Sequence, residues 1–364
     1  MTTSSSTFRW LLTLVIVGGC LFTVTSCQKL LQDHQFPNPM TLSAAPGPPV
    51  AAGLLAPIGL AEDSKGYLWV TEAGSGTVNN GQVSVITPTG TYTAIAGFTS
   101  AVSPEGSPEG LNHLTYKDGK LYILHGSEDK LYIVDVSSFV PGTSTPIQAS
   151  SLTGIDLGTT IRSLHPNAPD PADSNPYDLT FGPNGDLFIA DAGANAIIRR
   201  NKDNGALSVY AVFPDVPNPT YAGPSPVGPP TIDPVPTGIV FNGTDFLVTT
   251  LVGFPFPTHL STIYKVSATG AAPVTPTVHQ DKFSGLTSIT LTPSGRPIVT
   301  EFGFSTPARV ANGDMDGGNA NGTLYSPGVP PYVTAVDILA SSTTDTYYAL
   351  YYGPGIIIKL TATN

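Results

Sequence analysis

The chain has 364 residues, of which 11% are charged and 40% hydrophobic, with 38 Gly, 36 Pro and a net charge of −11. Low charge beside an ordinary apolar content excludes a disordered chain. An acidic balance with no basic patch excludes nucleic acid as a partner. Each interior Pro costs a helix about 3 kcal/mol, so Pro at this density points to short strands joined by turns.

The first element in chain order is a leader. Residues 1–26 read as a signal peptide, with Arg9 the one charged side chain and an apolar stretch from Trp10 to Val24. It ends in "VTSC", which resembles a bacterial lipobox, so Cys27 is expected to be lipidated and to become the mature N-terminus. "VGGC", ending at Cys20, offers a second such site, and an uncleaved membrane anchor is the remaining alternative. A multiply acylated Cys27 anchors stably where a single chain does not. The expectation is an exported lipoprotein of the bacterial cell envelope, on the outer membrane or the periplasmic side, whose membrane partner is reached through the lipid. Both cysteines lie in this leader, so the domain beyond it has no disulfide and no thiol chemistry.

Residues 27–45 read as the lipidated N-terminus and a tether, and residues 46–364 as one folded domain. Six similar stretches then follow. They are "GLAEDSKGYLWVTEAGSG" from Gly59, "HLTYKDGKLYILHGSED" from His113, "DLTFGPNGDLFIADAGAN" from Asp178, "GIVFNGTDFLVTTLVG" from Gly238, "SITLTPSGRPIVTEFG" from Ser288 and "DILASSTTDTYYALYYG" from Asp337. Each pairs two apolar runs around a polar turn and reads as a β-hairpin. Third strands follow in most copies ("GQVSVI", "DKLYIVDV", "NAIIRR", "STIYKV", "GIIIKL"), and "TYTAIAGF" and "ALSVYAVF" supply fourth ones. Six four-stranded units predict an all-β chain, a six-bladed β-propeller, in which radial repetition leaves few exposed edges. A β-sandwich is the competing architecture. Only "TATN" follows "GIIIKL", so "PPVAAGL" at residues 48–54 is expected to supply the last blade's missing edge and close the ring.

The text "DLFIADAGANAIIRR" resembles the NHL-type propeller repeat. "GYLWVTEAGSG", "NPYDLTFGPNGDLFIADAGAN" and "VPTGIVFNGTDFLVTTLVGFPFPTHLSTIYKV" resemble the ScyD/ScyE family, with "GFPFP" the most distinctive word. The resemblance covers about residues 50–364. It implies an exported six-bladed propeller and brings no established catalytic residues, and the role expected is binding or scaffolding by a monomer.

Strand one of a blade leaves one face near the axis and strand two returns to it. The residues opening strand one (Gly59, His113, Asp178, Gly238, Ser288, Asp337) are thus expected beside those ending strand two (Glu72, His125, Asp191, Thr250, Glu301, Tyr351), at an offset of 12 to 14. Glu72, Asp178, Asp191, Glu301 and Asp337 would then converge on one channel mouth. Such a ring of carboxylates suits calcium, which takes six to eight oxygens. Alternatively Glu72, Asp191 and Glu301 cap turns by accepting backbone N–H groups. The competing function is a metal-dependent, lactonase-like hydrolase of the gluconolactonase type. Its usual Asn-Gly and Asp-Gly ligand positions here read Tyr177-Asp178 and Thr237-Gly238.

His113 and His125, with Phe254 and Phe256 of "GFPFP", are the candidate contacts for a small-molecule or polypeptide ligand. The Pro-rich insertions "HPNAPDPADSNP" and "FPDVPNPTYAGPSPVGPPTIDPVPTG" are expected on the same rim, or simply to bridge blades. "NGDMDGGNANG", from Asn312, is either a peripheral calcium loop or an insertion; it lacks the acidic twelfth position of an EF-hand.

Overall fold

The computed structural model describes residues 41–104, 106–221, 227–304, 306–327 and 334–363. Cys20, Cys27 and the leader lie outside them. Six blades are arranged as a β-propeller, as the repeat predicts, antiparallel throughout except where Ile147–Gln148 joins the edge of blade one in parallel. Their innermost strands are Pro57–Glu62, Leu111–Lys117, Pro176–Phe181, Pro236–Phe241, Leu286–Leu291 and Ala335–Ala340. Their second strands are Leu68–Glu72, Lys120–His125, Leu187–Asp191, Asp245–Thr250, Pro297–Glu301 and Thr346–Tyr351. Among the described residues one short α-helix, Gly158–Leu164, interrupts the β pattern.

The second strands explain why their sequences are runs rather than alternations. In Leu68–Glu72, Leu187–Asp191 and Pro297–Glu301 every residue is buried. Both faces of these strands are covered by neighbouring blades, so neither face needs polar residues. The core is accordingly divided among the gaps between blades. Trp69, Val83, Ile95 and Phe98 of blade one pack on Leu111, Leu121 and Ile123 of blade two. Phe188, Ile197 and Tyr210 of blade three meet Phe246, Val248 and Tyr264 of blade four. The hairpin turn of blade three puts Asn184 at φ 63° and Gly185 at φ 81°, the left-handed backbone that Asn-Gly tolerates best.

Blade six is closed by the N-terminal side of the chain through two segments, the expected one and a strand before it. Thr41–Ala44 pairs antiparallel with Ile356–Thr363, in the register Thr41 to Thr363 and Ala44 to Leu360. Residues 48–54 cover the other half of that edge: the Val50 N–H donates to the Ile357 carbonyl at 2.8 Å, the Ile357 N–H to the Ala51 carbonyl at 3.0 Å and the Leu54 N–H to the Gly355 carbonyl at 3.1 Å. The closing strand thus lies within the span read as tether. The Pro-Pro and Gly of "PPVAAGL" limit that segment to a short pairing, so a regular strand is supplied from earlier in the chain.

A second feature recurs in all six blades. Each inner strand carries one extra residue near its start, so that Pro57, Leu111, Pro176, Pro236, Leu286 and Ala335 face the last residues of the second strands. The bulge lies just after them. Residues expected beside Glu72, Asp191 and the other strand ends are therefore carried deeper, one bulge further along the axis.

Candidate functional site

At the axis the six inner strands present Gly59, His113, Asp178, Gly238, Ser288 and Asp337, so the series glycine, variable residue, aspartate occurs twice around the ring. Asp178 accepts N–H groups from Leu179 at 2.7 Å and from Ile239 of the next blade at 2.9 Å. Asp337 repeats this three blades away, accepting from Ile338 at 2.7 Å and from Leu60 of blade one at 2.6 Å. Its other partner is the Ser288 hydroxyl, which donates to it. His113 lies between the two acids, its Nδ1 at 3.6 Å from Asp178 and 3.7 Å from Asp337. A Cβ on Gly59 would stand 2.7 Å from the His113 Cα, so the missing side chain leaves the room in which that imidazole sits. Burial pushes the Asp178 carboxyl up to about 6, partly offset by His113 and by the N–H donors.

The remaining expected acids lie elsewhere. Glu72 accepts the Leu55 N–H on one oxygen and the Gln82 amide and Ser84 hydroxyl on the other. Asp191 accepts the N–H groups of Asn175 and Ala194 and the Ser174 hydroxyl. Glu301 accepts the Ser284 N–H and is paired with Arg309. In all three, the acid ending strand two holds the segment that leads into strand one of the same blade. These acids accept backbone N–H groups as the capping alternative expects, but only Asp191, through Ala194, reaches the turn beyond its own strand. Burial still pushes Asp191 up to about 6 against its three donors.

Among the described residues, one group of three acidic or metal-ligating side chains comes within 4.8 Å. It is Asp170, Asp215 and Asp233, from the two Pro-rich insertions, and it contains none of the five carboxylates expected from the sequence. In "NGDMDGGNANG", Asp314 is bonded to His279 at 3.0 Å and Asp316 to Lys282 at 2.6 Å, so both carboxylates are paired with blade four.

Above the axial cluster lies a cavity of about 340 Å³. Its lining follows a rule shifted by one residue from the sequence expectation. The bulge residues Ile58, Asn112, Tyr177, Thr287 and Val336, each directly before an expected opener, line it. So do Ala73, Gly126, Leu251, Phe302 and Tyr352, each directly after an expected strand end. His113 (3% exposed) and His125 (0% exposed) are buried and do not line it. His125 bonds the Thr99 carbonyl at 3.1 Å, and burial holds its pKa down. Phe256 does line the cavity, and Phe254, 61% exposed, stands edge-on to it at 6.2 Å.

Aromatic rings from three blades form one wall. Phe256 stacks on Phe304 at 4.7 Å and 14°, Phe304 lies 4.6 Å from Phe302, and Phe302 lies 6.3 Å from Tyr352. Next to Tyr352, whose hydroxyl donates to the Pro108 carbonyl at 3.4 Å, the hairpin Ala101–Val102 and Pro108–Glu109 brings Glu109 to the lining. A wall of this kind excludes water and presents π faces, while Asn112, Asn175 and Glu109 supply polar contacts.

No family model matches the chain, and no curated protein does. Solved structures do. A gluconolactonase from Xanthomonas campestris matches with TM-score 0.55 at 11% identity, over 90% of this chain and 95% of its own. The PQQ-bound aldose sugar dehydrogenase from Streptomyces coelicolor gives 0.54 at 13%, over 90% and 99%. A putative gluconolactonase gives 0.50 at 15%, over 90% and 94%. Identities this low carry the six-bladed fold and nothing finer.

Proposed function

We propose that this protein is a small-molecule-binding propeller, held in the bacterial cell envelope through a lipid on Cys27, in the manner of the ScyD/ScyE proteins its text resembles. The observation that carries the reading is the cavity of about 340 Å³ on the propeller face, walled by Phe256, Phe302, Phe304, Tyr177 and Tyr352. Its volume and its apolar lining with few polar groups are those of a ligand site. The axial acids contribute support from below, tying blade three to four and blade six to one through Asp178 and Asp337. The test is ligand-observed NMR with a library of small aromatic and aliphatic compounds. Binders should be lost in Phe304→Ala and Phe256→Ala; binders that all survive both changes would place the site elsewhere.

A metal-dependent hydrolase is the second reading. A buried histidine between two carboxylates next to a cavity favours it. Against it, those carboxylates already accept backbone N–H groups. Hydrolysis of lactone esters that is lost in His113→Gln, with the fold intact, would favour it over pure binding.

A further inference from the structure

The cavity has a chemical preference that its charges disclose. Glu109 is the one charged side chain among its described lining residues, which include no Lys, Arg or His. Under the floor lie two more carboxylates, Asp178 and Asp337, with a single imidazole between them. Both N–H groups of the Asn112 amide are spent inside the protein, on Asn175 and on the Pro176 carbonyl, each at 2.9 Å, so what Asn112 has left is its carbonyl oxygen. The Tyr352 hydroxyl, in the same wall, is held in its neutral form by burial and then by the charge of Glu109. Aromatic π faces, an acidic rim and surplus acceptors all favour positive charge. An anion would meet the charge of Glu109 and no cationic side chain in the lining.

Resting on the reading of this cavity as a ligand site, we infer that its ligand is an organic cation with an apolar body, such as a quaternary or protonated amine. The Phe256–Phe304–Phe302–Tyr352 wall would take the cation by its ring quadrupoles, with Glu109 as the counter-charge. Rings hold a diffuse, weakly hydrated charge better than a compact one, so a trimethylammonium group fits this wall better than a bare ammonium.

The probes are phenyltrimethylammonium, its neutral isostere tert-butylbenzene, and benzoate, titrated against the full protein. The cation should bind roughly ten-fold more tightly than the neutral isostere, and benzoate most weakly. Glu109 is exposed on a hairpin, so Glu109→Gln folds; it should cut the cation's advantage by about three- to ten-fold and leave tert-butylbenzene unchanged. Phe304→Ala should weaken both. A neutral isostere that binds as well as the cation would overturn the inference and leave the cavity as the site. Failure of all three probes to bind, or binding indifferent to Phe304→Ala and Phe256→Ala, would remove the cavity reading and this inference with it.

Discussion

Asp178 and Asp337 make the same pair of hydrogen bonds on opposite sides of the ring, each accepting the N–H of the residue after it and an N–H of the next blade, Ile239 or Leu60. Each acid is therefore a strap between neighbouring blades. Asp337→Ala would leave two buried N–H groups without acceptors, at about 1–3 kcal/mol each. The expected loss in denaturant unfolding is about 3 kcal/mol or more, and Asp178→Ala should lose a comparable amount. Asn, which keeps one oxygen, should lose less than Ala at both positions. An Ala variant as stable as the parent would show that these N–H groups find other acceptors.

Gly59 is held by sterics. Its added Cβ would meet backbone and side-chain atoms of His113 at 2.7 and 3.2 Å, and backbone has no rotamer with which to retreat. Gly59→Ala should cost about 1–3 kcal/mol. Gly238, in the equivalent place, would meet the Ile289 nitrogen at 2.8 Å and should behave alike. Calorimetric melting of both variants decides it, because an unchanged Tm would mean that the inner strands can separate without loss.

The raised pKa of Asp191 makes a signed prediction. Its carboxyl is pushed from 3.8 to about 6 by burial, so between those values the folded state holds a proton that the unfolded state has released. Stability from this group is therefore highest at low pH and is lost as pH rises through that window, by up to about 3 kcal/mol. Asp191→Asn removes the titration and keeps the shape. The difference in unfolding free energy between parent and variant should shift against the parent from pH 4 to pH 7. A difference independent of pH would place the Asp191 pKa near its ordinary value.

Leu42 is the buried residue of the closing strand. Leu42→Asp should detach Thr41–Ala44 and bare the edge Leu360–Thr363, a template for pairing with other chains. The expected outcome is a lower Tm with dimers or larger species in light scattering. A monomeric variant with the parent's Tm would show that closure does not depend on this strand.

Cys27→Ser should release the protein from membranes in a fractionation experiment. Retention in membranes that is then abolished by Cys20→Ser would move the anchor to Cys20.

The six hairpins were legible in the sequence because each is local: two apolar runs and a turn suffice to write one. The closing strand was not, because Thr41–Ala44 is four residues with a single inward side chain and a partner some 320 positions away. The cavity was missed by one residue on each strand. The apolar pattern makes His113 and Asp178 the openers, whereas the bulge turns Asn112 and Tyr177 to the mouth and sends their successors into the axis. A bulge has no signature in apolar pattern alone. The aromatic residues at Phe302 and Tyr352, directly after two strand ends, were the available signal.

The pairing of Thr41 with Thr363 also governs the order of assembly. Five blades can form from neighbouring text, but the sixth is made from both sides of the described chain, so it is the last to be completed however early its members are synthesised. Until Ile356–Thr363 is present the N-terminal strand has no partner, and the ring stands open as an arc with two unmet flanks. Loss of the last eight strand residues would therefore act at the opposite end of the sequence, freeing Thr41–Ala44 from a sheet it cannot otherwise join.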